Sequence, residues 1–226
     1  MQQDKLVWRM FLVLHDPFTG KPEVAHELLT TGLAACELCE LIMARRLVLN
    51  RDHVLIAPVS SGWLDEIASL VLQAIEQQPG THTVRNWIRV LGEPVYEAVA
   101  RLAVESGTVR RQQGGWRPTG RRPDRFPAVD LLRAAGPRLR LEHMLRSPGE
   151  LDTGASVLAG VIGSLRLERV IDEQRDRAAV KSSIATAIAA LPLDLRAVLS
   201  GVESAADASS SLGHSSPIGP MRRDRG

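Results

Sequence analysis

The chain has 226 residues, 44% hydrophobic but only 4% aromatic, with a formal net charge of +2. That is length for one sizeable domain whose core is built from Leu, Val, Ile and Ala, a composition that favours helices packed on helices. The near-neutral balance argues against a protein that coats nucleic acid. Two cysteines cannot form a disulfide framework, so the reading is a reducing, cytoplasmic compartment.

From the N-terminus, KLVWRMFLVL at residues 5–14 is apolar nearly throughout and reads as a buried helix or strand. It is too short for a signal peptide, and no window of about 18 apolar residues predicts a membrane span. HDPFTGKPE reads as a turn. From Val24 to Arg46 the pattern is helical, with Leu28, Leu29, Leu33, Cys36, Cys39 and Met43 on one face. Residues 47–58, two apolar runs around Asn50-Arg51-Asp52-His53, predict a β-hairpin. A helix follows on Leu64, Ile67, Ala68, Val71, Leu72 and Ile75, and Pro79-Gly80 stops it.

Thr81 or Thr83 caps a short helix, VRNWIRVLG. Another is expected from Pro94 to Ser106, ending at Gly107. Next comes VRRQQGGWRPTGRRPDRF, residues 109–126, in which Gly114-Gly115 is expected to turn a second hairpin. Helices then run from Pro127 to Arg146, broken at Gly136-Pro137, from Thr153 to Ile171, and from Asp172 to Leu191. The composition collapses to Ser, Ala, Asp and Gly near Ser204. The expected organisation is one domain over residues 1–203 and a disordered tail over 204–226.

Motifs for chemistry are sparse. Cys36-Glu-Leu-Cys39 lies in mid-helix on the apolar face, where two small buried hydrophobes are expected and not a redox pair or a zinc site. The histidines form no metal-ligand spacing. His15-Asp16 and Asp65-Glu66 stand in turn and cap contexts, so no catalytic residue, cofactor or metal is assigned. Gly154 and Gly160 lie inside an apolar helix and serve close packing. Arg85 and Arg89, one turn apart around Trp87, are a candidate anion site.

Residues 109–126 concentrate the charge: Arg110, Arg111, Arg117, Arg121, Arg122 and Arg125 against Asp124 give +5, leaving −3 for the rest of the chain. Trp116 sits between glycines and a proline-flanked arginine. Tryptophan prefers polar–apolar boundaries such as membrane interfaces, and arginines near anionic lipid contribute roughly 1 kcal/mol each. The same features would also suit a nucleic-acid wing.

In order and spacing, five segments resemble the Golgi phosphoprotein 3 family over about residues 5–195: TTGLAACELCELIMARRLVLN, APVSSGWLDEIASLVLQAI, TVRNWIRVLGEP, LAVESGTV and SPGELDTGASVLAGVIGSL. The compressed loops resemble its bacterial branch. The resemblance implies a mainly α, single-domain helical bundle with surrounding amphipathic helices and one or two protruding β-hairpins. It also implies no enzymatic activity, and a peripheral membrane adaptor that binds phosphatidylinositol 4-phosphate and uses its hairpin for membrane contact and oligomerisation. The family's headgroup-pocket positions fall on Ala25, Ala34, Glu93 and Tyr96, none of which retains the Trp or Arg found there. An acid and alanines cannot supply charge-assisted bonds to a phosphate.

The expected function is therefore a non-enzymatic adaptor peripheral on the inner face of the cell membrane. It would bind anionic lipid through Arg110, Arg111, Trp116, Arg117, Arg121, Arg122 and Arg125, with a homo-oligomer through the same hairpin as a further expectation. The alternatives are a helix-rich DNA-binding regulator with a basic wing, against which the low net charge stands, and a protein-interaction scaffold.

Overall fold

The computed structural model describes residues 5–57, 64–78, 82–117, 120–121, 123–147, 151–171 and 176–212. Its organising element is α2 (His26–Met43), in which every residue from Leu29 to Cys39 is buried. A helix buried over every face through this stretch must be enclosed by neighbours. Here α1 (Leu6–Val13), α4 (Val84–Glu105), α6 (Thr153–Ser164) and α9 (Leu193–Leu212) enclose it. Small residues set the approach distances. A Cβ on Gly92 would lie 3.2 Å from the Thr30 Cβ, and one on Gly32 would lie 3.2 Å from Leu165 Cδ1. Cys36 and Cys39 are fully buried in this packing, as their place on the apolar face predicts, and burial pushes the Cys39 thiol up to about 12.

The remaining elements are laid on this core. α3 (Glu66–Gln77) packs on α4, and the Asp65 carboxylate caps it by accepting from Ile67 N at 3.0 Å and Ala68 N at 3.1 Å. β1 (Leu47–Asn50) and β2 (His53–Ile56) form the expected first hairpin, with Arg51 at φ 61° in its turn. The Asp52 carbonyl accepts from Val84 N at 2.8 Å, so the turn is tied to the start of α4, where Thr83 caps by accepting from Asn86 N. α5 (Leu131–Met144), α7 (Glu168–Ile171) and α8 (Arg177–Ala189) complete the helices among the described residues. A second hairpin, β3 (Trp116–Arg117) with β4 (Gly120–Arg121), lies between α4 and α5. The fold is mainly α with two hairpins, as the sequence predicts.

Four local expectations are corrected. The two helices expected on either side of Pro94 are one helix, α4. Leu91 and Val95 are both buried across the proline, and the carbonyl that Pro94 cannot serve belongs to Val90, which is 45% exposed and open to water. Pro137 is likewise carried inside α5, above the exposed Arg133. Conversely, the helix expected over 153–171 ends at Ser164, and Arg166 at φ 59° turns the chain into α7. Met43, expected on the inward face of α2, is exposed at its end.

The largest difference is α9. The sequence reading ends the last helix at Leu191 and begins a tail at Ser204, yet α9 continues to Leu212, so that boundary falls inside a helix. Leu195, Val198, Leu199 and Val202 recur at spacings of three and four and are buried against α2, α4 and α6. A Cβ on Gly201 would come within 2.6 Å of the Val84 side chain, which is how closely α9 lies on α4. The rest of the expected tail, residues 213–226, lies outside the described residues.

One charged cluster is built into the core. Lys5 pairs in short contact with Asp65 and lies 3.9 Å from Glu37, while Leu6 N donates to Glu40 Oε2 at 3.2 Å. Glu37 is fully buried, and neither carboxylate oxygen has a hydrogen-bond partner among the described residues. Burial pushes its carboxyl up to about 8 against the pull of Lys5. A carboxyl raised in the folded state contributes stability below its unfolded value of 4.5 that is lost as pH rises towards about 8. Glu37→Gln removes this loss, roughly 1.4 kcal/mol per pH unit across that window. In urea titrations at pH 5 and pH 8, the wild type should lose stability relative to the variant. Parallel pH dependence of the two proteins would mean that Glu37 is ionised in the fold.

Candidate functional site

The basic stretch folds back on itself, and its described pairings share one register. Val109 pairs with Ala128, Gln112 with Arg125, Trp116 with Arg121 and Arg117 with Gly120. Gln112 and Arg125 exchange both backbone bonds at 2.8 and 2.9 Å. The reversal therefore falls between Arg117 and Gly120, and the expected turn at Gly114-Gly115 is corrected: both glycines lie along the ascending arm. The reason is Asp124, whose carboxylate accepts from Gly114 N at 2.9 Å and from Arg111 Nε at 2.6 Å, fixing this part of the arm against its partner. Residues 118, 119 and 122 lie outside the described residues, and Arg122 with them.

The hairpin is rooted by an aromatic anchor. Phe126 is 2% exposed and meets Phe11 edge-on at 5.3 Å and His15 at 5.6 Å. His15 donates from Nδ1 to the Phe11 carbonyl at 2.7 Å, and burial pulls its pKa down to about 4, so the ring packs as a neutral aromatic. The root is locked to the 16–20 turn. Phe126 N donates to Gly20 O at 2.7 Å and Ala128 N to Pro17 O at 2.9 Å. Gly20 sits at φ +64°, and a Cβ there would fall 2.0 Å from Pro127 N.

The arginines of this stretch divide into two kinds. Arg111 is held at the root, against Asp124, 3.7 Å from Glu97 and 5.9 Å from the Phe126 ring, and its hydrogen bond to Asp124 holds the guanidinium above its usual range. Arg110 and Arg125 pair with no carboxylate among the described residues, and Arg110 is exposed. Trp116 and Arg121 are cross-strand partners.

Arg85 and Arg89 do converge. Both are exposed on α4 and, with Asn86, Thr30, Thr31 and Glu27, line a cleft of about 230 Å³ between α2, α4 and α9. Neither arginine pairs with a carboxylate among the described residues. Trp87 between them points the other way and is buried. The four positions expected to carry a headgroup pocket, Ala25, Ala34, Glu93 and Tyr96, lie on or beside α2 and α4. Ala34 is buried, Ala25 precedes α2, and Glu93 bonds His26 Nε2 at 2.7 Å with the Tyr96 ring 5.0 Å from that histidine.

Among the described residues, no helix is long and apolar enough to cross a membrane. The family model described as Golgi phosphoprotein 3 (GPP34) matches residues 6–208 of the chain. No curated protein matches it.

The root of the hairpin depends on Gly20. Gly20→Ala should lower unfolding stability by roughly 2 kcal/mol or more, because the new methyl meets backbone at a strained φ. Gly115→Ala, where a Cβ meets nothing within 4 Å, should stay within about 0.5 kcal/mol of wild type. Urea unfolding of both variants checks the contrast, and equal stabilities would show that the 16–20 turn does not hold the hairpin.

Proposed function

This chain belongs to the Golgi phosphoprotein 3 family, and we propose that it is a non-enzymatic peripheral membrane adaptor acting on the inner face of the cell membrane. The observation that carries this reading is the +5 stretch at 109–126, borne on a hairpin whose root is apolar and locked into the core. Its ligand is anionic phospholipid as a class. Arg110, Trp116, Arg117, Arg121, Arg122 and Arg125 supply charge and interfacial contact, and Arg111 holds the arm in shape. Attachment of this kind is reversible and falls with salt, since neither one interfacial tryptophan nor a few arginines anchors a protein alone. The reading does not rely on a phosphatidylinositol 4-phosphate pocket, since the positions expected to form one hold Ala25, Ala34, Glu93 and Tyr96.

Sedimentation with phosphatidylglycerol vesicles at low salt is the test. The wild type should co-sediment, and the combined variant Trp116→Ala, Arg121→Ala, Arg122→Ala should bind at least about tenfold more weakly. Unchanged binding by the variant, or no binding by the wild type, rules the reading out. Light scattering on a protein lacking residues 110–122 reads the scaffold alternative: a lost oligomer with intact vesicle binding would favour it.

A further inference from the structure

We infer that the outer face of α5, together with the turn that carries Phe18, is a second membrane-docking surface that seats on anionic lipid independently of the hairpin tip. It rests on the membrane reading above but on different residues. Among the described residues, five of the ten exposed large hydrophobic side chains fall in this one region: Phe18 at 73%, Val129 at 63%, Leu131 at 47%, Leu132 at 88% and Leu139 at 60%. Single exposed apolar residues need no explanation, but a group of them on one surface does. Phe18 and Val129 each adjoin the Pro17–Ala128 hydrogen bond, so two distant segments are brought together here by backbone.

The display is built, not loose. Asp16 Oδ1 accepts from both Thr19 N and Thr19 Oγ1 at 2.6 Å, and Gly20 N donates to the Asp16 carbonyl at 2.8 Å. Phe18 is therefore held out on a closed turn whose far side is packed on Phe126 and Pro127. On α5, Ala134 and Leu141 are buried, while Leu132 and Leu139, two turns apart, are exposed on the side away from them. The helix carries leucines on both its inner and its outer face.

Charge selects the occupant. A cleft of about 530 Å³ opens beside the exposed leucines, lined by Leu132, Arg133, Gly136 and Arg140 of α5 with Arg9 and Asp152. The carboxylates there are committed to helix ends: Asp152 accepts from Ala155 N, and Asp130 accepts from Arg133 N while lying 3.6 Å from its guanidinium. Arg140 pairs with no carboxylate among the described residues. Leucines and a phenylalanine beside arginines match the layered chemistry of a bilayer surface, with acyl chains under anionic phosphates. A second copy fits less well, since a two-fold contact through this face would set the arginines of each copy beside those of the other.

The full chain is tested on phosphatidylcholine vesicles with and without phosphatidylglycerol. Leu132→Gln with Leu139→Gln should leave the melting temperature unchanged, because both side chains are exposed, and weaken binding to the anionic vesicles at least about tenfold. Arg133→Gln with Arg140→Gln should reduce the preference for phosphatidylglycerol several-fold, leaving the share that the hairpin supplies. A dye placed at Leu132→Cys should shift to the blue on anionic vesicles only, and the buried Cys36 and Cys39 leave that label specific. If the hairpin variant loses binding while the leucine variant binds like wild type and the dye does not move, this inference falls and the hairpin reading stands. Loss in the leucine variant with an unaffected hairpin variant supports the α5 surface and overturns the hairpin reading. Wild type that ignores both vesicles overturns both. A leucine variant that changes oligomeric mass but not vesicle binding assigns the face to a second copy and overturns the lipid assignment.

Discussion

The enclosure of α2 is the constraint on which the rest of the structure depends. A helix buried without a break from Leu29 to Cys39 must be covered by neighbours on every side, and α1, α4, α6 and α9 do so. Its small residues, with Gly92 facing Thr30, let those neighbours approach closely enough for dense packing. Everything placed outward follows from this. α4 must pass Pro94 without breaking because both of its halves line α2 and its surroundings, and α9 must exist because the remaining side of α2 and α4 would otherwise lie bare.

The same core determines what the surface can present. The aromatic group of Phe11, His15, Tyr96 and Phe126 roots the second hairpin, and Asp124 gathers Arg111 and Gly114 into its lower part. Positive charge beyond that root stands on a fixed base. A few residues away, the hydrogen bonds of the 16–20 turn and the inner face of α5 leave Phe18, Leu132 and Leu139 outside. Basic and apolar display thus flank a single joint, where residues 16–20 meet residues 126–130. For a protein without a transmembrane-length helix among its described residues, reversible attachment would need just such a combination of charge and interfacial burial.

Much of the fold was legible because its signals are local. Asp65 and Thr83 announce the helices they cap, Asn50-Arg51-Asp52-His53 announces the first hairpin, and mid-helix Cys36 and Cys39 read as core. The errors came where a local signal was outweighed. Pro94 and Pro137 looked like breaks, but each leaves its orphaned carbonyl on a solvent-facing residue, so the helices continue. Gly114-Gly115 looked like a turn, but a carboxylate ten residues away holds that segment extended. The tail-like composition of α9 beyond Ser204 hid a helix whose inward positions are few. The candidate site was legible as a charge concentration only. Which arginine is committed to Asp124 depends on register, and the α5 surface was missed because leucines at 131, 132, 139, 141 and 145 offer two stripes of similar strength.

The sequence by itself determined the class of this protein: helical, built around one apolar segment, with its positive charge gathered between residues 109 and 126. Composition and periodicity suffice for that, because they report which residues seek the interior and which do not. Only the tertiary structure decided which of two leucine stripes faces water, which arginine is neutralised, and that Arg85 and Arg89 share a cleft with a helix more than a hundred residues away. Those outcomes depend on what each segment meets across space, through packing and pairing between residues distant in the chain, and no window of sequence contains both partners.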